Sequence, residues 1–285
     1  MIFFAAEMAL FITSLNSGSN GNCYYVANDT EAVLVDAGIS CRETEKRMQL
    51  LGLSMNKVKA IFISHEHTDH IKGVESIAEK YALPVYITNA TAQRGRLHFK
   101  KELINYFAAY EPVNIGSLVV TAFPKFHDAI DPHSFIITGN GITVGVFTDI
   151  GATCQHVTKH FGQCHAAFLE ANYDEAMLEQ GRYPIFLKNR IRGGEGHLSN
   201  VQALEIFVKH RSSFMTHLLL AHLSKDNNDP EKVMELFSKK SAGIEVVVAS
   251  RYEQTPLFVI QSNGKDATQI NQPIIVRKSA QLSLF

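Results

Sequence analysis

The sequence predicts an α/β (α+β) protein in which two mixed β-sheets face each other with helices on their outer sides. Two observations lead there. Short apolar runs joined by Gly, Asn and Asp turns open each half of the chain, and in each half they give way to apolar runs alternating with helical patterns. The composition agrees: 285 residues, 46% apolar and 19% charged, can bury a sizeable core, and they exclude disorder, collagen and coiled coil.

The elements follow in order. Residues 10–15, Cys23–Ala27 and Ala32–Val35 read as paired antiparallel strands, the last leading into Asp36-Ala37-Gly38. A helical pattern covers 42–51, with Ser40 as N-cap and Gly52 as stop. Residues 58–63 form a buried strand, 71–81 a helix and 85–88 a strand. The second half opens with two hairpins, 113–115 with 118–123 around Gly116-Ser117, and 134–138 with Ile142–Phe147 around Gly139-Asn140-Gly141. Strands at 166–169, 215–220 and Glu245–Val248 then alternate with helices at 200–209 and 230–239. After Ser250 the periodic signals weaken, and 271–285 reads as a tail.

With 27 basic and 28 acidic residues the formal charge is −1, so no global positive field draws the chain to nucleic acid or to an anionic membrane. Cys23, Cys41, Cys154 and Cys164 are scattered, which predicts small buried hydrophobes in a reducing cytoplasm rather than a disulfide framework. The apolar run 1–15 lacks a basic leader and is broken by Glu7, so a first strand is expected there rather than an export signal. No apolar stretch reaches the roughly 18 residues that span a bilayer. A soluble cytoplasmic protein is the expectation.

Histidine is the unusual feature, 13 residues in all, and it is concentrated in His65-Glu66-His67-Thr68-Asp69-His70. That string lies between a buried strand and a helix. Side chains two apart on extended backbone point the same way, so His65 and His67 can converge on one ion. Asp69 and His70, carried round the turn, can converge on a neighbouring one.

HxHxDH after a buried strand resembles the signature of the metallo-β-lactamase-fold hydrolases. Further strings are similar to the YycJ/WalJ branch of that superfamily: Ser17-Gly18-Ser19-Asn20-Gly21-Asn22-Cys23, 33–38, Ser40-Cys41, 169–174, Gly196-His197-Leu198-Ser199-Asn200, and His222-Leu223-Ser224 with Asn227-Asn228. The resemblance spans roughly residues 10–260. It implies an αββα four-layer sandwich with a dinuclear site at one edge, a hydrolase domain over 1–260 and a tail over 261–285. It also implies a ligand set: His65, His67 and His127 for one ion, Asp69, His70 and His222 for the other, and Asp149 bridging. His133 stands close enough in sequence to compete with His127. Nitrogen and oxygen donors without sulfur suit Zn²⁺ or Mn²⁺ and do not choose between them.

Two divalent ions serve phosphodiesters, thioesters and lactams alike, so the fold does not name the substrate. Three features lean towards phosphodiesters. His197 resembles the extra histidine of RNase Z type nucleases, placed to protonate a leaving oxygen, with Glu170 matching its acidic partner; such an acid contributes about 10² to 10⁴ in rate. Lys188, Arg190 and Arg192, and separately Arg94, Arg96, Lys100 and Lys101, are candidates for holding a phosphate backbone. Ser19, Asn20 and Asn22, in the loop at 17–22, lie where backbone N–H groups could meet phosphate.

The last five residues, Gln281-Leu282-Ser283-Leu284-Phe285, resemble the peptide with which bacterial DNA polymerases and repair proteins dock onto the sliding clamp. Leu282, Leu284 and Phe285 would fill an apolar groove and Gln281 would fix orientation. The resemblance as a whole implies a DNA exonuclease degrading duplex from the 5′ end in repair, with Asp69, His197 and Glu170 as catalytic groups. An RNA-processing nuclease of the RNase Z type, a small-molecule hydrolase such as a thioesterase or cyclic phosphodiesterase, and a non-catalytic clamp-binding adaptor are the alternatives.

Overall fold

The computed structural model describes residues 9–262 apart from residue 99. Gln281, Leu282, Leu284 and Phe285 therefore lie outside the described residues, as does the proposed tail beyond residue 262. One sheet contains β1 (Ala9–Asn16), β2 (Cys23–Ala27), β3 (Ala32–Val35), β4 (Val58–Phe62), β5 (Val85–Ile87) and β6 (Ile104–Tyr106). The other contains β7 (Pro112–Ile115), β8 (Leu118–Pro124), β9 (His133–Gly139), β10 (Ile142–Phe147), β11 (Ala166–Glu170), β12 (His217–Ala221) and β13 (Glu245–Val248). The last described strand, β14 (Phe258–Gln261), returns to the first sheet and pairs antiparallel with β1. The helices are α1 (Cys41–Leu50), α2 (Thr68–Ile71), α3 (Val74–Tyr81), α4 (Asn89–Arg94), α5 (Gln155–Phe161), α6 (Glu175–Gln180), α7 (Ile185–Arg192), α8 (Asn200–His210) and α9 (Pro230–Ser238).

Each sheet is antiparallel on one side and parallel on the other: β14-β1-β2-β3 runs into parallel β3-β4-β5-β6, and β7-β8-β9-β10 into parallel β10-β11-β12-β13. The turn chemistry explains the hairpins. Asn140 and Gly141 both have positive φ, 55° and 76°, as a type I′ turn needs, and Gly116 supplies φ 59° at the first turn position between β7 and β8.

Period-two alternation sends one face of each strand inward. On β12, Leu219 and Ala221 face the other sheet while Leu218 and Leu220 face the outer helices. The inner layer is joined by aromatic contacts from sheet to sheet, Tyr24 to Phe168 at 4.9 Å and Phe62 to Phe135 at 5.7 Å between ring centres. Met48 of α1 with Val74, Ile77 and Ala78 of α3 covers the outside of the first sheet; α5, α8 and α9 cover the second through Phe161, Phe207 and Phe237. The result is the four-layer αββα sandwich, and no helix among the described residues is long and apolar enough to cross a membrane.

The structure adds elements that the sequence pattern does not announce. β14 appears in a region where periodic signals fade, because Phe258, Val259 and Ile260 supply only a short apolar run. The helix expected over 71–81 divides into α2 and α3 around Lys72 and Gly73, where Gly73 N–H reaches Ala37 O at 2.7 Å.

Candidate metal centre

The C-terminal ends of β3, β4, β8, β10, β11 and β12 meet at one edge of the sandwich, and the segments that follow them carry the polar cluster. Open parallel sheets present such sites outside the carboxyl ends of their strands. His65, His67 and His127 bring donor atoms within 4.8 Å of one another, and so do Asp69, His70 and His222. Asp149 stands between the two triplets, with Oδ2 3.2 Å from His70 Nε2 and Oδ1 3.7 Å from His127 Nε2 and 3.5 Å from His222 Nδ1. His133 is elsewhere: it starts β9, and its Nδ1 meets Asp131 O at 3.0 Å.

Three backbone kinks aim this cluster. Asp36, Asp149 and His222, just past the ends of β3, β10 and β12, adopt φ of 60°, 54° and 55°, a left-handed conformation uncommon for residues other than glycine. Close approach matters at Gly38, where a Cβ would sit 1.7 Å from Asp69 O; the loop carrying Asp69 and His70 can lie there only because that atom is missing.

Buried partners orient the rings. Asp36 accepts from His70 Nδ1 at 2.7 Å, from Ser64 Oγ at 2.9 Å and from Ser64 N–H at 2.8 Å. His127 Nδ1–H donates to Gly196 O at 3.0 Å, which turns Nε2 towards the cluster. Glu170 Oε1 faces two rings at once, His197 Nδ1 at 2.8 Å and His222 Nδ1 at 3.0 Å, while Oε2 accepts from the backbone N–H groups of Ile150 and Leu198. His197 sits between His127 and His222, 5.2 Å from each by ring centres. It does not cap α8; Ser199 does, in a capping box with Gln202.

Electrostatics test whether cations fit. Burial pushes His65 well below the ordinary imidazole pKa and takes His127 down to about 4, so both rings are neutral donors near pH 7. For His70 and His222 burial acts in the same direction, but the carboxylates outweigh it. Asp149, Asp36 and Asp69 hold His70 well above its usual value, and Asp149, Asp69 and Glu170 hold His222 at about 10. Burial likewise raises Glu170, yet His197 and His222 bring it down to about 2. Asp149 Oδ2 is buried and makes no well-directed hydrogen bond, its contact being the ion pair with His70 Nε2 at 3.2 Å. Converging imidazole nitrogens, a buried carboxylate facing both triplets and further carboxylates that retain positive charge make a donor set suited to divalent cations, which would replace protons there.

The remaining candidates separate by exposure. Asn22 is buried; its Nδ2 lies 3.2 Å from Asp69 Oδ2 and 3.1 Å from His70 Nε2, and its Oδ1 accepts from Gly18 N–H and Tyr24 O–H. That side chain is committed to holding the cluster rather than offered to a substrate. Ser19 and Asn20 are exposed, with Asn20 Nδ2 donating to Arg251 O at 2.9 Å. Arg190, with a half-exposed side chain, pairs with Asp128, whose Oδ1 lies 3.4 Å from His127 Nε2, so its guanidinium stands at the cluster's rim.

Arg192 points to Glu179 and Asn189, and the ammonium of Lys188 is turned inward onto Glu179 O, so the basic triplet does not act as one patch. Sequence reasoning left four contributors without a role: Asp36, Ser64, Asp128 and the buried Lys125, which donates to Thr148 O at 2.7 Å beside Asp149. Of these only Asp36 carried a signal, an acidic residue at a strand end two before a glycine.

Comparisons with known proteins agree with this geometry. A chain 34% identical over 246 residues, covering 83% of this chain and 92% of its own, is the exodeoxyribonuclease YycJ of Bacillus anthracis. Exodeoxyribonuclease WalJ of Streptococcus pneumoniae is 29% identical over 233 residues, 79% of this chain and 86% of that one. Among solved structures, the metallo-β-lactamase fold protein YhfI from Bacillus subtilis superposes with a TM-score of 0.66 at 18% identity, covering 86% of this chain and 99% of its own. A family profile described as a beta-lactamase superfamily domain matches residues 31–222, from β3 through to His222. Fold, polar cluster and family match converge, and the chain belongs to the beta-lactamase superfamily as a metal-dependent hydrolase of the metallo-β-lactamase fold.

Proposed function

We propose that this hydrolase is an exonuclease that degrades duplex DNA from the 5′ end and serves DNA repair. The pairing of His197 with Glu170 at the edge of the metal cluster carries the proposal, because an alkoxide leaving from phosphorus needs a proton and this histidine is held where it can give one. Identity with chains named exodeoxyribonucleases supports the choice of DNA.

In this proposal His65, His67 and His127 would hold one divalent cation and Asp69, His70 and His222 a second, with Asp149 offering a carboxylate to both, the ions being Zn²⁺ or Mn²⁺. Such cations would supply positive charge to the scissile phosphate and activate water. The chain's own residues do the rest. Asp69, steadied by Asn22, orients the attacking water. Glu170 accepts the Nδ1–H of His197, so the opposite nitrogen is the one that gives its proton to the departing oxygen. Arg190 steadies a backbone phosphate at the rim, and the exposed Ser19 and Asn20 offer further contacts to the strand, whereas Arg192 is engaged by Glu179 and Asn189 and contributes only if released from them.

In this proposal the tail over 261–285, whose first residue Gln261 still pairs with Ala9 at the end of β14, is otherwise distinct from the catalytic domain, and Gln281, Leu282, Leu284 and Phe285 dock onto the sliding clamp. Tethering then raises local concentration on DNA despite a formal charge of −1. Digestion of end-labelled single- and double-stranded DNA and RNA with Mn²⁺ tests the activity. Nucleotides should leave the 5′ ends of duplex DNA, and His67→Ala should abolish their release; untouched DNA, or preferred cleavage of RNA, overturns it. A carrier fused to residues 279–285 should bind the clamp and lose that binding with Phe285→Ala; absence of either result removes the docking proposal.

A further inference from the structure

Beside the metal cluster lies a second concave feature that the hydrolytic chemistry does not use. It begins at Leu223, the residue after His222, and is a pocket of about 270 Å³ outside the carboxyl ends of β12 and β13. That volume lies just under the usual range for ligand sites, about 300–1,000 Å³, and suits one small group rather than a polymer segment. Ser17 forms the wall shared with the metal centre, since its Oγ accepts from His222 N–H at 2.7 Å.

The lining is mostly apolar and carries two cations. Lys225 and Arg251 both face the pocket, and no acidic residue is among its described lining residues. Neither cation is paired with a carboxylate among the described residues. Two acids next to lining residues are engaged elsewhere: Asp226 accepts from Tyr183 O–H at 2.8 Å, and Asp229 caps α9. Arg251 is held in place rather than free in solvent. One of its N–H groups donates to Leu223 O at 3.1 Å, and the guanidinium lies against Gly18, where a Cβ would come within 2.6 Å of Nη2. Its remaining donors are available to an anion. Tyr252, 74% exposed, stands at the pocket rim with a ring able to stack on a base.

We infer that this pocket binds the terminal phosphate monoester of the substrate strand, with Lys225 and Arg251 as its cations and Tyr252 against the terminal base. The inference rests on the nuclease proposal and deepens it. A monoester carries about −1.5 to −2 charge near neutral pH, whereas an internal phosphodiester carries one, so two cations in a walled pocket discriminate an end from a chain interior. An end-binding pocket one residue beyond His222 gives the enzyme a reason to start at termini.

The test measures binding by the full-length, metal-loaded protein to duplexes whose terminal linkages are phosphorothioates, so that turnover is blocked. Three versions are compared, with a 5′-phosphate, a 3′-phosphate or hydroxyls at both ends. The expected result is at least tenfold tighter binding of the 5′-phosphorylated duplex. Lys225→Glu and Arg251→Gln, the latter retaining a donor for Leu223 O, should each bring the ratio close to one. Lys209→Ala, on the far helix α8, should leave it intact. Preference for a 3′-phosphate that the same variants erase supports the pocket and reverses the expected direction of digestion. Equal binding of all three duplexes overturns the inference, as does a preference that both variants retain. Because the readout is a binding ratio, failure to cleave DNA would remove the nuclease proposal without altering this result.

Discussion

At the residue scale, the side chains that meet a cation are only half of the centre. Asp36 has no donor atom in either triplet, yet it fixes His70 and Ser64 from a fully buried position, and Ser64 Oγ in turn lies 2.9 Å from His65 Nδ1. Outer partners of this kind govern ring orientation and basicity. Asp36→Asn should therefore weaken cation retention about 10- to 100-fold, measured by competition with a chelator, with the fold's circular dichroism preserved. An unchanged affinity would reduce Asp36 to a packing role. The histidine string was legible because its spacing alone implies convergence on extended backbone. Asp36 showed only its place at a strand end before a glycine, because its role arises from the parallel register of β3 on β4, where Asp36 N–H reaches Phe62 O at 2.8 Å, and no local pattern encodes a register between segments so far apart.

At the element scale, helices were legible where caps and periodicity agreed. Ser40 caps α1 and accepts from Glu43 N–H, and the box at Ser199 and Gln202 starts α8. The short α7 was not foreseen, and this is why Lys188, Arg190 and Arg192 looked like one basic run. Helical geometry turns Lys188 inward and leaves Arg190 at the rim. The contact of α5 with β8 yields a prediction of its own. His160 of α5 stacks on Phe123 at 4.3 Å, and burial, aided by Lys159, lowers its pKa. An unfolded chain takes up this proton near the ordinary imidazole pKa of about 6.5, before the folded protein does, so stability drains away as pH falls below that point. His160→Phe keeps a ring on Phe123 and removes the titration. Compared by thermal melting at pH 7.5 and 5.5, the variant should lose less stability than the parent; equal losses would show that His160 does not contribute to acid sensitivity.

At the scale of the whole molecule, the division into two similar halves was legible, because each repeats hairpins followed by parallel units. The closure by β14 was not: it adds to β1 from the opposite end of the chain, with Ala9 opposite Gln261 and Ile12 opposite Phe258. If the proposed boundary at residue 261 is right, deletion of 263–285 should leave the melting temperature unchanged, whereas deletion of 258–285 should lower it by several degrees through loss of buried Phe258 and Ile260. A similar loss in both truncations would move the boundary. The donor residues have an arrangement with a further mechanical meaning. His65, His67, Asp69 and His70 follow a strand of the first sheet, and His127, Asp149 and His222 follow strands of the second, so each triplet draws from both. Cations held there would be clasps across the seam of the sandwich. Prying the two layers apart would first require releasing them, so the ions that equip the enzyme for chemistry would also guard it against proteolytic nicking.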